Sequence, residues 1–179
     1  RSGQVQLVRL PRATWTELQS HLRRQTAHIF HFVGHGMFDD EQGGRLLFED
    51  DDGLLQAVSA HKLAHLLRNH SALRLALLNA CDGAVTSVVH PFSGAAQALV
   101  QQGLPAVIAM QRAISDRTAL TVGPAFYAAI ADGYPVDAAL AQARMAVYAE
   151  NDTEWATPVL YMRAREGLLF EPADRPGKS

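Results

Sequence analysis

The stretch Leu73–Ala84, LRLALLNACDGA, decides how this chain is read. After Arg74 it is apolar as far as Asn79, and it then breaks into small and polar residues. A continuous apolar run of this length, closed by a turn signal, reads as a strand buried on both faces. In an open α/β sheet, chemistry collects outside the carboxyl ends of such strands. Cys81, the only cysteine of the chain, stands at that end. His28–Gly36, HIFHFVGHG, has the same shape and closes on Gly34-His35-Gly36. Two such strands, parallel and adjacent, set an imidazole and a thiol side by side at one edge.

Outward from these two strands, helical and extended patterns alternate. Val5–Leu10 reads as a short strand or a tail, stopped by Pro11. Thr14 is placed to cap a helix to about Arg24, with Trp15, Leu18 and Leu22 at helical spacing. Met37–Gly43 reads as an acidic loop. Arg45–Glu49 and Leu54–Val58 flank Asp50-Asp51-Asp52-Gly53, a hairpin signal. Ser59 caps a helix through Leu67. Past Cys81, Asp82–Pro91 is a loop, and a helix of small residues opens at Phe92 or Ser93 and stops at Gly103. Ala106–Met110 is a third buried strand. Ser115 or Asp116 caps a long helix to Ala131. Pro135 opens another helix, Val136–Tyr148. Pro158–Arg163 is a last strand, and Leu168–Phe170 adds a short edge. This order predicts an α/β fold with a mostly parallel central sheet in a single domain over residues 1–170. Residues 171–179, with Pro172, Pro176 and Gly177, read as a disordered tail.

Bulk composition excludes several classes. The 179 residues are 48% hydrophobic and 19% charged, with net charge −2, an ordinary globular balance with enough chain for a sizeable core. Nothing basic argues for nucleic acid as a partner, and no polybasic cluster argues for a membrane surface. No apolar run approaches the roughly 20 residues that span a bilayer. A single cysteine forms no internal disulfide, which fits a reducing, cytoplasmic setting. No signal peptide is visible, and the start at Arg1 reads as a fragment of a larger chain.

A thiol attacks as its thiolate, and a neighbouring imidazole stabilises that form and later delivers a proton to a leaving amine. His35 and Cys81 are therefore the candidate dyad. The N–H groups of Gly36 and Cys81 are candidate donors to a developing oxyanion. The other reading of Cys81 is a small buried hydrophobe.

HFVGHG (31–36) and LNACDGA (78–84) together resemble the paired signature of CHAT domains, bacterial relatives of caspases and separase among the caspase-like cysteine peptidases. The segments GRLLFEDDDGLL (44–55), GLPAVIAMQRAISDRTA (103–119), FYAAIADGYPVDAALAQAR (126–144) and WATPVLYMR (155–163) resemble the family's order, so the likeness runs from His28 to Arg163. It implies a caspase-like three-layer sandwich, His35 as general base and acid, Cys81 as nucleophile, and Gly36 and Cys81 as oxyanion donors. It also implies regulatory domains or partner chains. Caspase-like sheets carry strands before the histidine strand, for which this chain has little room.

Asp116 has two readings. In separase-like and legumain-like relatives, an acidic residue at a similar place lines the pocket for the residue before the cut, which implies a preference for Arg or Lys. An Asp ahead of a long helix is also a routine cap. Asn79 and Gln111 are further candidates for substrate binding, with strand-end packing as the plainer view. Arg112 and Arg117 are placed to pair with Asp116. Asp82, directly after Cys81, disfavours a thiolate unless it faces away. His61 and His65 lie four apart on a helix but lack a third ligand, and His28, His31 and His35 do not converge. No metal and no cofactor is called for. The chain thus reads as a cysteine endopeptidase acting on protein or peptide substrates in regulated bacterial signalling or defence. A catalytically silent scaffold or protein-binding module is the alternative, and a cysteine-based acyl transferase a third.

Overall fold

A computed structural model describes residues 5–39, 43–80, 91–112, 114–150 and 153–170. The apolar run around Leu77 forms β5 (Leu75–Ala80), and Leu75, Ala76, Leu77 and Leu78 are all fully buried. β1 (Ile29–Gly34) lies parallel to it, with Ile29 beside Leu75 and Gly34 beside Ala80. β6 (Ala106–Met110) lies parallel on its other side and is buried along its whole length. β7 (Pro158–Met162) then closes the order β1-β5-β6-β7 as an antiparallel neighbour of β6. Strands buried on both faces need cover on both faces, which is why they carry no alternation.

That cover can be read from two adjacent residues of β1, whose side chains point to opposite faces. The Phe32 ring meets Phe48, with centroids 5.4 Å apart, and Phe92, at 6.4 Å. Phe92 belongs to α3 (Pro91–Gln101). On the other face, His31 meets Tyr127 of α4 (Asp116–Ala131). α4 packs in turn on α5 (Val136–Ala149). The architecture is thus mixed α/β, with five α-helices and a mostly parallel sheet among the described residues.

A second sheet, absent from the sequence reading, grows out of the first. Met37–Gly43 was predicted to be a loop, but Gly36–Asp39 is β2, antiparallel to β3 (Gly43–Glu49), which pairs with β4 (Leu55–Ser59). The charges of Asp39–Glu41 obscured a chain whose backbone groups still find partners across the ladder. The β3–β4 hairpin itself falls where Asp50–Gly53 places it. The Asp50 carboxylate accepts from the N–H groups of Asp52 (3.0 Å) and Leu54 (2.8 Å), and Gly53 adopts φ +82°, where a side chain would be strained.

Helix starts follow local chemistry. Thr14, Ser59 and Ser115 each present a hydroxyl to an N–H three residues on, capping α1 (Trp15–Arg24), α2 (Ala60–Arg68) and α4. Ahead of α1, Val5–Leu10 is not a strand; the segment is anchored further on, where Glu49 N–H donates to Ala13 O at 2.8 Å. Leu168–Phe170 is likewise no edge strand. Gly167 O accepts from the N–H of Val136 at 2.8 Å, so the chain is tied to the start of α5, and Leu169 and Phe170 pack against the core instead. The predicted tail, 171–179, lies outside the described residues.

Candidate active site

Parallel pairing brings the carboxyl ends of β1 and β5 together. Gly34 and Ala80 are register partners and close the ladder. His35 is the next residue on one strand and Cys81 on the other. Cys81, with Asp82 and the predicted loop to His90, lies outside the described residues.

His35 is the single residue between β1 and β2, and its side chain is exposed. Its carbonyl accepts from Leu47 N–H at 2.9 Å, so His35 and Leu47 form a hydrogen-bonded pair of the β2–β3 ladder. Hydrogen-bonded and non-bonded pairs alternate in an antiparallel ladder. Gly36, opposite Leu46, therefore turns its N–H away from β3.

The two glycines around His35 serve packing. Neither adopts a positive φ. A Cβ on Gly34 would stand 2.9 Å from Phe32 Cζ. A Cβ on Gly36 would stand 2.8 and 2.9 Å from Phe92 Cε2 and Cζ, and 3.2 Å from Arg45 O. Two aromatic rings occupy the space that side chains would need, and the backbone at His35 is held between them.

The substrate-side candidates disperse. Asn79 is 2% exposed, and its Oδ1 has no hydrogen-bond partner among the described residues. It shares the α4 face with His31, because Val33 pairs with Asn79 and His31 with Leu77. Gln111 is exposed at the end of β6, where its N–H donates to Thr157 O at 3.0 Å. Asp116 is the first residue of α4 and is exposed; the cap is Ser115. Arg117 does not pair with Asp116. Its Nε donates to Glu150 Oε2 at 3.1 Å, on the solvent side.

The CHAT-domain family model matches residues 1–176. The chain belongs to the CHAT-domain family. A search of curated proteins returns no match. CHAT domains are caspase-like and peptidase-related.

Two polar pairings of this CHAT domain carried no sequence signal. Tyr127 Oη and His31 Nδ1 are 3.1 Å apart. Burial lowers the pKa of His31 from 6.5 to about 4 and raises that of Tyr127 above the usual phenol range. Burial thus keeps the imidazole neutral, and one hydrogen bond joins its Nδ1 to the phenol oxygen. Nε2 is buried without a partner among the described residues. In the second pairing, the Glu154 carboxylate accepts from Ser115 N–H (3.1 and 3.0 Å) and from Ser115 Oγ (2.9 Å). It is Glu154, and not Asp116, that anchors the start of α4. Trp155 packs edge-on against Tyr148, with centroids 6.1 Å apart. His61 and His65 are exposed on α2, and no group of three metal-ligating side chains occurs among the described residues. No helix among them is long and apolar enough to cross a membrane.

Proposed function

We propose that this CHAT domain is a cysteine endopeptidase in which His35 and Cys81 form the catalytic dyad. The observation that carries the reading is the Gly34–Ala80 register pair, since one peptide bond leads from each of these residues to a member of the dyad. The Cys81 thiolate adds to the scissile carbonyl carbon, and the oxyanion receives the N–H of Gly36 and that of Cys81. The outward turn of the Gly36 N–H supports its part. The C–N bond breaks as His35 protonates the departing amine, leaving a thioester on Cys81. His35 then takes a proton from water, which attacks the thioester and frees the acid and the thiol. Asp116 contributes a preference for Arg or Lys before the cut, and its exposure at the sheet's carboxyl end leaves it open to a cationic side chain. Asn79 and Gln111 border the same end. The reading extends to a caspase-like three-layer sandwich, supported by the opposite faces on which α3 and α4 meet β1. It also extends to cytoplasmic, regulated proteolysis of a protein substrate in bacterial signalling or defence, with further domains or partner chains in control.

Because the chain holds one cysteine, any thiol label reports Cys81 alone. Peptide electrophiles with Arg, Lys, Leu or Asp before the reactive group should label it, with the Arg and Lys probes fastest. His35→Ala should slow labelling at least tenfold, and Cys81→Ala should abolish it with the fold intact. Labelling led by the Leu probe keeps the dyad and removes the role of Asp116. Equal labelling with and without His35 overturns the dyad.

A further inference from the structure

The opposite pole of the sheet carries a cluster that the proposed chemistry does not use. Arg74 immediately precedes β5, Arg68 ends α2, and Arg163 follows β7. Arg68, His70 and Arg74 line a cavity of about 110 Å³ whose wall continues through Gly103, Leu104 and Pro105. Arg163 reaches the same rim. From the position a Cβ would take on Gly103, Arg163 Nη1 is 3.6 Å away and Arg68 Cδ 3.9 Å. The backbone here is fixed by Arg163 N–H on Pro105 O (2.9 Å) and Ala106 N–H on Arg74 O (3.2 Å). The six residues of β5, at roughly 3.3 Å each, put this pole about 20 Å from His35.

No carboxylate among the described residues lines the cavity. Among the described residues, none of the three guanidiniums makes an ion pair or a side-chain hydrogen bond. The C-terminal ends of α2 and α3 face this pole and each contributes the equivalent of about −0.5 charge. Against three guanidiniums, that leaves an excess of about +2, in a chain whose net charge is −2. The dipole of α2 accounts for Arg68, which sits in its last turn. It does not account for Arg74 or Arg163, which belong to no helix.

We propose that this pole binds the phosphate group of a small molecule such as a nucleotide. Guanidinium forks match phosphate oxygens bidentately. The walls of Leu104 and Pro105 suit the apolar part of the same molecule, and the three guanidiniums gather at one small cavity, unlike the long basic track that a nucleic-acid strand requires. The site stands apart from the cysteine chemistry and holds whether or not the chain is a peptidase.

Titration calorimetry on the whole chain tests it, with ATP, pyrophosphate and inorganic phosphate as probes. ATP or pyrophosphate should bind, and the double variant Arg74→Ala, Arg163→Ala should weaken binding at least tenfold with an unchanged melting temperature. Arg23→Ala with Arg24→Ala, on exposed positions of α1, should change it less than twofold. Binding of inorganic phosphate alone identifies a free-anion site of the same chemistry, and stronger binding of ATP identifies a nucleotide site. Equal affinity in the two double variants, no binding of any probe at millimolar concentration, or binding only to a long polyanion such as heparin would each overturn the proposal.

Discussion

The buried imidazole of His31 should make the stability of this domain sensitive to acid. In the unfolded chain His31 titrates near 6.5, and in the fold near 4. Between these values the unfolded chain binds a proton that the folded chain refuses, so stability rises with pH across the window and is lost as pH falls from about 6.5 towards 4. For one site with these values, the loss between pH 7.5 and pH 5 is ~2 kcal/mol. Partial solvent access to the ring trims that to about 1–2 kcal/mol. Urea unfolding at the two pH values, on the wild type and on His31→Gln, isolates the term because the variant has nothing to titrate at that position. The wild type should lose about 1–2 kcal/mol more than the variant. Equal pH dependence in wild type and His31→Gln would refute the reasoning, because the buried ring would then be paired or hydrated well enough to charge in place.

Two further outcomes follow from contacts already described. Gly36→Ala places a methyl group against the Phe92 ring and Arg45 O, and overpacking of this kind costs about 1–3 kcal/mol. Its melting temperature should drop by several degrees, and an unchanged melt would show that the ring is free to retreat. Glu154→Ala leaves the Ser115 N–H and Oγ without their carboxylate, at a cost of about 1.5–3 kcal/mol. Glu150→Ala removes the exposed pair with Arg117 and an exposed hydrogen bond from Thr121 Oγ1, and should cost under about 1 kcal/mol. Equal losses in urea would remove the anchoring role of Glu154.

Much of this fold is legible in the sequence wherever one segment contains its own explanation. β5 needed only its apolar run and β6 only its five apolar residues. The Ser59 cap and the Asp50–Gly53 turn are likewise written within four or five positions. β2 was not legible, because the acidic residues after Phe38 imitate a loop while the pairing that makes a strand of Gly36–Asp39 comes from β3. The packing role of the glycines around His35 was not legible for a similar reason, because the ring of Phe92 arrives by tertiary packing. Tyr127 lies 96 residues from His31, and Glu154 lies 39 from Ser115, beyond the reach of any spacing rule. Asp116 was given two roles from sequence, and the cap went to its neighbour Ser115. Of the proposed dyad, His35 follows the end of its strand as the sequence suggests, whereas Cys81 lies outside the described residues.

The passage of the chain at His35 from one sheet into another has an entropic consequence. Its preceding peptide belongs to the parallel sheet, and its own carbonyl is bound by the antiparallel one. A catalytic histidine on a free loop must be ordered each time it works, and fixing the backbone of one residue costs roughly 1–2 kcal/mol. For the role proposed for His35, that ordering is complete once the domain has folded. Alignment of the imidazole is reduced to its two side-chain torsions.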